Sequence, residues 1–410
     1  MIEPAPRVAF FPCVYHEVDG VANTVHHFES FAMRRGLPFL MVFGGTKNGV
    51  QVEGSVTRME CARGCIGFPL DKKHDFDLAF WRHYEKVEDA VRKFRPEVLH
   101  ITGPSDVGQL GALVAHRLRI PLVASWHTNV HEYAEQRGSG LFWFLPQAWR
   151  NQLGCAIRQT SLRATFRFYK IARVLFAPNP ELIDFLEKGT GKPCYPMYRG
   201  VDTTLFDPRR RERTSSEFVI GYVGRLTVEK NIHFLVELER ALKQAGLLNF
   251  RFMIVGQGAE EPWLRANMQH ADFWGVLRGE ALARAYANMD VFVFPSRTDT
   301  YGNVVLEALA SGVPAVVTER GGPRFIVTPG ETGFVAHDLQ EFVLYVRKLE
   351  GERELLEAMR ISARKHALGA SWDTVFETVY DGYDRGLRNS GAAEKKIQIG
   401  QPSVTVPRLS

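Results

Sequence analysis

The sequence has 410 residues and a formal net charge of +5, with 45% hydrophobic and 24% charged residues. These proportions are ordinary for a soluble globular enzyme, and the length predicts two domains of roughly 200 residues rather than one. No apolar run approaches the roughly 18 residues needed to cross a membrane, and the start, MIEPAPRVAFF, lacks the basic and apolar regions of a signal peptide, so we expect a cytoplasmic protein.

The five cysteines are an odd number and are scattered along the chain. Reduced thiols are therefore the expected state. Cys61 and Cys65 have a spacing that occurs in metal sites, but no second pair completes one. The sequence predicts no metal there.

The first half begins like a doubly wound sheet. Arg7–Val14 is a predicted strand, a helix follows over about residues 22–35, and Pro38–Phe43 is the next strand. The first strand-to-helix loop of such a sheet is a ligand site. Gly20 lies in this loop and would let the backbone approach a diphosphate; the alternative is a simple turn glycine.

Asp75 and Asp77 form an Asp-x-Asp pair, a pattern found in metal sites. A hard cation needs several oxygen ligands near a diphosphate. The pair precedes an amphipathic segment, Leu78–Phe94, and we interpret it as the charged first turn of that helix.

The next predicted strands are Pro96–Thr102 and Pro121–Ser125, on either side of a helix over Val107–Arg117. His127 directly follows the second strand, at the edge where open α/β sheets place their sites. It is suited to donate a hydrogen bond to a sugar hydroxyl or a phosphate; a structural histidine is the alternative. His131 and Tyr133 follow closely and are candidates for an acceptor pocket.

A basic segment covers residues 147–173, where the chain contains no acidic residue. Its cations are Arg150, Arg158, Arg163, Arg167, Lys170 and Arg173. Arg163, Arg167 and Lys170 share one helical face. A solvated helix face is one interpretation, and contact with an anionic membrane or an acidic acceptor is the other.

A polar stretch, Asp207–Ser216, reads as the domain linker, and the strand Phe218–Val223 follows it. Arg225 and Lys230 come after a glycine turn and suit an anionic diphosphate. An ion pair with Glu229 is the alternative. Gly256-Gln-Gly258 lacks the third glycine and the downstream acid of a dinucleotide fingerprint, so we do not expect NAD there.

The most informative stretch runs from Val291 to Phe334. Val291–Phe294 is a predicted buried strand, and Asn303–Ala310 is a predicted helix that follows a polar turn. The free N–H groups at the start of this helix, in Gly302, Asn303 and Val304, would hold a phosphate. Asp299 and Glu307 bracket the site, and the Glu307 carboxylate suits ligand hydroxyls.

This stretch resembles the donor-site signature of the family-4 retaining glycosyltransferases, in which two acids flank seven residues before a small-residue run. This sequence has Asp299 where that family usually has Glu. The resemblance extends to Gly221–Lys230 and Thr332–Phe334 and covers most of the second half. It implies catalytic roles for His127, Arg225, Lys230 and Asp299. It implies donor binding by Gly20, Arg225, Lys230, Asp299, Tyr301, Gly302, Asn303, Val304 and Glu307.

The resemblance also implies an α/β fold of two Rossmann-like domains facing across a cleft, called GT-B. We expect an acceptor domain over residues 1–205, a donor domain over 206–371, a returning helix over 372–390 and a disordered tail over 391–410. The region from Phe273 to Gly279 would lie against the nucleobase.

The implied reaction transfers a hexosyl group, with retention, from a nucleoside diphosphate sugar to a lipid or saccharide acceptor. UDP-hexose is the first expectation for the donor and GDP-mannose the second; no metal, other cofactor or nucleic acid is expected. A nucleotide-sugar epimerase of the same fold and a non-catalytic binder of anionic lipid or polysaccharide are the alternatives. Peripheral contact with the inner face of the membrane would follow from the basic segment.

Overall fold

The computed structural model describes residues 5–16, 20–64, 67–71, 74–127, 159–213 and 216–388. The chain divides into two compact units. Unit 1 contains the described residues of Met1–Arg199 and of Trp372–Ser390, and unit 2 contains those of Gly200–Ser371. The chain therefore passes between the units twice, at residues 199/200 and 371/372.

Unit 1 is built on an eight-stranded sheet and a two-stranded ribbon among its described residues. Its strands are β1 (Val8–Phe11), β2 (Phe39–Gly45), β3 (Gly49–Glu53), β4 (Val56–Ala62), β5 (Gly67–Asp71), β6 (His74–Asp77), β7 (Val98–Ile101), β8 (Leu122–Ser125), β9 (Val174–Ala177) and β10 (Cys194–Pro196). The sheet order is β10-β9-β8-β7-β1-β2-β4-β3, and only β3 is antiparallel to its neighbour. The order reverses between β1 and β7.

Helices cover this sheet. They are α1 (Gly20–Arg34), α2 (Tyr84–Phe94), α3 (Asp106–Leu118), a helix α4 that includes residues 159–169, and α5 (Pro180–Thr190). Capping explains where two of them begin: Ser105 accepts a hydrogen bond from the N–H of Gly108, and Asn179 accepts one from that of Leu182. β1, β7, β8 and β9 are buried along their whole length, because both faces of a parallel sheet are covered.

The sequence interpretation of Asp75 and Asp77 as a helical first turn is wrong. Both residues lie on β6, and α2 begins only at Tyr84. The Asp77 carboxylate accepts hydrogen bonds from the N–H groups of Gly64 and Ala79 and pairs with Arg82 at 2.7 Å. Asp77 therefore connects Gly64, which precedes β5, to the loop that precedes α2.

Unit 2 has a six-stranded, wholly parallel sheet in its described part. Its strands are β11 (Phe218–Val223), β12 (Phe250–Val255), β13 (Ala271–Phe273), β14 (Val291–Phe294), β15 (Ala315–Thr318) and β16 (Gly333–Ala336). Its helices are α6 (Phe234–Gln244), α7 (Glu261–Asn267), α8 (Gly279–Ala287), α9 (Asn303–Ala310), α10 (Leu339–Gly351) and α11 (Arg353–Leu368). The order β13-β12-β11-β14-β15-β16 reverses between β11 and β14. Ligands of open α/β sheets bind at such a reversal.

The last helix, α12 (Trp372–Arg388), belongs to unit 1. Its apolar face joins the core beside β1 and α1: Phe376 stacks on Phe28 with ring centroids 4.4 Å apart, and Tyr383 is fully buried. Asp373 pairs with Arg34 at the rim. None of the described helices is both long and apolar enough to span a membrane.

Candidate functional site

The reversal of strand order in unit 2 brings together the loops that follow β11 and β14. Lys230 lies on the first loop and Asp299 on the second, and their Nζ and Oδ1 atoms are 2.6 Å apart. Both side chains are largely buried, at 15% and 19% exposure. The Thr298 hydroxyl also donates to the Glu229 carbonyl at 3.1 Å. Two residues singled out from the sequence are thus in direct contact.

Asp299 has a second oxygen, Oδ2, that is buried and accepts no hydrogen bond from the described residues. A buried carboxylate oxygen without a donor is costly. The atom is therefore suited to accept from a hydroxyl group of a ligand.

The start of α9 adds hydrogen-bond donors to this site. Gly302 has φ of +101°, and a Cβ there would meet the Pro323 ring at 2.9 Å, so the chain needs glycine at this position. No side chain caps the helix, and the N–H groups of Gly302, Asn303 and Val304 donate no hydrogen bond to other described residues. Tyr301 and Val304 pack against the core of unit 2 and hold this end in place. The arrangement is suited to bind an anion.

Glu307 lies one turn into α9 and is half-buried. The hydroxyl of Tyr286, a fully buried side chain on α8, donates to Glu307 Oε2 at 2.8 Å. Burial raises the pKa of Glu307 to about 7, although the Tyr286 hydrogen bond opposes the shift. Tyr286 was not predicted from the sequence, because a tyrosine within an apolar helix gives no sign of its partner.

Arg225 is the more exposed of the two predicted phosphate-binding cations. Its side chain is 53% exposed, and its Nη2 lies 3.7 Å from Glu229 Oε1. The Tyr222 hydroxyl donates to the Arg225 carbonyl at 3.1 Å and fixes the loop backbone. The long contact with Glu229 leaves the guanidinium accessible to an anionic ligand.

The Gly256-Gln-Gly258 loop packs against the loop that carries Arg225. Gly256 has φ of +133°, and a Cβ there would lie 1.9 Å from the Gly224 carbonyl oxygen. The N–H of Gly256 donates to the Gly275 carbonyl. Trp274, between β13 and α8, is 51% exposed in the region expected to face a nucleobase.

In unit 1, His127 follows β8 and is buried. Its Nε2 lies 2.6 Å from Ser125 Oγ, and its Nδ1 lies 2.8 Å from Arg199 Nη2. Burial and the nearby guanidinium hold the pKa of His127 well below its usual value. Both ring nitrogens are occupied by protein groups, so direct donation to a ligand would require one contact to be exchanged.

The other candidates of unit 1 are Gly20, His131 and Tyr133. Gly20 is exposed and begins α1, and its carbonyl accepts from the Thr24 hydroxyl at 2.8 Å. His131 and Tyr133 lie outside the described residues. Within the described ranges, no group of three or more His, Cys, Asp or Glu side chains is arranged to hold a metal ion.

The described part of the basic segment has its cations outside and its aromatics inside. Arg163, Arg167 and Lys170 are exposed and line a groove of about 730 Å³. Phe166 packs on Phe185 with centroids 5.0 Å apart, and Tyr169 is buried. The rest of the segment, with Arg150 and Arg158, lies outside the described residues.

Comparisons with known proteins extend these findings. A model described as "Glycosyl transferases group 1" matches residues 217–351, and one described as "Glycosyltransferase Family 4" matches residues 18–205. A GDP-mannose-dependent alpha-mannosyltransferase from Mycobacterium tuberculosis is 32% identical over 319 residues, which cover 74% of this chain and 77% of that protein. A sulfoquinovosyl transferase from Arabidopsis thaliana is 28% identical and covers 89% of this chain and 71% of its own.

Among solved structures, a sucrose-phosphate synthase from Thermosynechococcus elongatus superimposes with a TM-score of 0.72 at 18% identity. The match covers 92% of this chain and 98% of that one. It supports two Rossmann-like domains of the GT-B class, and the predicted fold class is confirmed.

Proposed function

The chain belongs to the group 1 and family 4 glycosyltransferases, and from this we propose that it transfers a mannosyl group from GDP-mannose to a lipid or saccharide acceptor with retention of the anomeric configuration. The named donor comes from the mycobacterial relative, whose described activity depends on GDP-mannose. That relative favours GDP-mannose over the UDP-hexose that the sequence suggested first.

The observation that carries the proposal is the cluster at the strand reversal of unit 2. Lys230, the accessible Arg225 guanidinium and the unoccupied N–H groups at the start of α9 supply donors for a diphosphate. Asp299 Oδ2 would accept from a hydroxyl of the donor sugar, and Glu307 from the ribose hydroxyls. The cluster thus offers cations for the phosphates and carboxylates for the hydroxyls.

Catalysis would depend on positioning and charge stabilisation. The bond between the anomeric carbon and the diphosphate oxygen breaks, while the acceptor oxygen forms the new bond on the same face of the sugar. The leaving phosphate takes the proton of the acceptor hydroxyl. Lys230, Arg225 and the α9 N–H groups stabilise the negative charge that develops on the leaving diphosphate, and the step requires no metal.

A lipid acceptor would be reached at a membrane surface. Arg163, Arg167 and Lys170 are exposed together and would attract an anionic leaflet, at about 1 kcal/mol for each cation near the surface. Phe166 and Tyr169 pack inward, so the attraction assigned to this face is electrostatic.

The proposal is tested first by ligand binding and then by product analysis. GDP should raise the unfolding temperature more than UDP or ADP, because a ligand that binds only the native state stabilises it. NMR of the product should show that the α configuration of the donor is kept. Conversion of the donor sugar without acceptor, with the nucleotide link intact, would instead identify an epimerase, and absence of any turnover with lipid or saccharide acceptors would favour a binding protein.

A further inference from the structure

Five polar side chains from different parts of unit 1 form one buried hydrogen-bonded chain. They are Tyr383 on α12, His100 on β7, Ser125 on β8, His127 after β8 and Arg199 at the last residue before unit 2. Each of the five is at most 5% exposed. Tyr383 and His100 are 283 residues apart in sequence.

The contacts along this chain are short and continuous. Tyr383 Oη lies 2.6 Å from His100 Nδ1, and His100 Nε2 lies 2.9 Å from Ser125 Oγ. Ser125 Oγ lies 2.6 Å from His127 Nε2, and His127 Nδ1 lies 2.8 Å from Arg199 Nη2. The Tyr169 hydroxyl also donates to the Ser125 carbonyl at 3.2 Å and fixes the middle of the chain.

The surroundings of this chain are apolar. The His100 ring makes edge contacts with Phe10 at 5.1 Å and Tyr383 at 5.6 Å, and it lies 5.6 Å from Phe176. Burial lowers the pKa of His100 to about 3, so its ring is neutral. Apolar side chains of the same volume would fill this space without the cost of burying polar groups. The hydrogen-bonded chain therefore has a role other than filling the core.

The chemistry of Arg199 fixes the state of His127. A guanidinium has only donors, so the Nδ1 of His127 must accept. A neutral His127 then carries its hydrogen on Nε2 and donates it to Ser125 Oγ. The ring has a single tautomer and a single orientation as long as both partners are present.

We propose that Arg199 and Tyr383 are positioning residues for glycosyl transfer: Arg199 holds His127 in the Nε2–H tautomer, and Tyr383 supports it from α12 through His100 and Ser125. The inference rests on the proposed function and on the catalytic role that the family resemblance implies for His127, which follows the carboxyl end of β8. Neither Arg199 nor Tyr383 needs to touch the substrate. Arg199 is the last residue of the first segment of unit 1, and Tyr383 lies on α12, the segment that returns to unit 1. The His127 ring is therefore held by residues from both segments of this unit.

The tautomer is measured without any substrate, by NMR of the full-length protein labelled with ¹⁵N in its imidazole rings, with His127→Gln to assign the signal. Wild-type His127 should show a neutral ring protonated at Nε2. Arg199→Met should introduce the Nδ1–H form, and Arg199→Lys, which keeps a donor, should restore the wild-type signal at least in part. An unchanged His127 signal in Arg199→Met would overturn the inference.

Tyr383→Phe provides a milder test, because it removes one oxygen and keeps the ring in the core. Tyr380→Phe is its matched control: Tyr380 lies one turn earlier on α12, and its buried hydroxyl has no hydrogen-bond partner among the described residues. We expect Tyr383→Phe to lower kcat about tenfold, the effect of roughly one hydrogen bond, with donor KM unchanged. Tyr380→Phe should keep wild-type kcat. Equal kcat in the two variants would show that α12 does not support His127.

The proposed function and the positioning role of Arg199 can be disproved separately. If the wild-type protein transfers no sugar from any donor, the proposed function fails, while the tautomer measurement still decides what Arg199 does to His127. If transfer occurs and Arg199→Met keeps full kcat with an altered tautomer, the positioning role is wrong and the proposed function stands.

Discussion

Lys230 Nζ and Asp299 Oδ1 are 2.6 Å apart across the two loops that leave the central strands of unit 2. The cation assigned to the donor diphosphate is therefore also the partner of a carboxylate. A diphosphate must share Lys230 with Asp299 or take it over. Donor affinity then depends on a competition that the sequence alone does not reveal.

Lys230→Ala and Arg225→Ala should each lower the turnover rate about 10²-fold or more, because each substitution removes a cation that stabilises the leaving diphosphate. Steady-state kinetics with GDP-mannose measure the effect. Lys348→Ala is the control, since this lysine is exposed on α10. Near-wild-type turnover in both Lys230→Ala and Arg225→Ala would refute the phosphate assignment.

Asp299→Asn should have opposite effects on stability and on nucleotide binding. Without ligand the variant should lose roughly 1–3 kcal/mol of unfolding free energy, because Lys230 keeps its burial and loses its counter-charge. GDP should then raise the unfolding temperature more in Asp299→Asn than in wild type, since Lys230 is fully available to the phosphates. A smaller GDP shift in the variant would mean that Lys230 does not bind the diphosphate.

Donor affinity should depend on pH through Glu307. The raised pKa of about 7 means that this carboxyl is protonated below that pH and ionised above it. If ionised Glu307 accepts from ribose hydroxyls, affinity should fall as pH drops through about 7, and roughly 1–3 kcal/mol of binding should be lost in Glu307→Gln. Calorimetric titration with GDP between pH 6 and 8.5 measures both effects.

Tyr286→Phe is the matched variant for this titration. The Tyr286 hydrogen bond lowers the pKa of Glu307, so its removal should move the midpoint of the affinity profile to higher pH. Folding stability has the opposite pH trend: because the folded-state pKa lies above the usual value, Glu307 favours the folded protein at low pH and this contribution is lost as pH rises through 7. A GDP affinity of the wild type that does not change between pH 6 and 8.5 would make Glu307 a structural residue.

Transfer should persist in EDTA, because cations and backbone N–H groups of the protein are proposed to hold the diphosphate. Loss of activity on chelation, restored by Mg²⁺ or Mn²⁺, would contradict this and would direct attention to Asp75 and Asp77. The assay needs only the wild-type protein, its donor and an acceptor.

Vesicle sedimentation should show binding that increases with anionic lipid and decreases with salt, as for any screened charge attraction. Replacing Arg163, Arg167 and Lys170 together by Gln should weaken this binding and leave transfer to a soluble acceptor intact. A control removes three charges from exposed residues of unit 2, with Arg347, Lys348 and Lys365 replaced by Gln. If the wild-type protein does not sediment with anionic vesicles at low salt, this face has no role in membrane binding.

Much of unit 2 was predictable because local signals agree with the fold. Phe218–Val223, Val291–Phe294 and Asn303–Ala310 have the predicted bounds, since an apolar run or helical spacing meets a glycine or proline at its ends. The contact between the Lys230 and Asp299 loops follows from the reversal of strand order between β11 and β14.

The missed features depend on contacts between distant residues or on weak patterns. The β3–β4 hairpin was not predicted, although Val50–Glu53 alternates apolar and polar residues; this run is short, and β3 is exposed along its whole length. The pairs Tyr286–Glu307 and Tyr383–His100 join separate elements, and no sequence spacing indicates them. Arg199 was not predicted to have a role in the site, although its guanidinium reaches His127.

The position of α12 has a consequence for biosynthesis. The core of unit 1 includes Trp372, Phe376 and Tyr383, which leave the ribosome after all of unit 2. Domains usually fold in the order in which they are made. Here the apolar surface around Phe28 stays uncovered until α12 is made, while the segment Gly200–Ser371 is complete and able to fold first. A chain that stops at Ser371 would release unit 1 in that exposed state, as a substrate for chaperones and proteases.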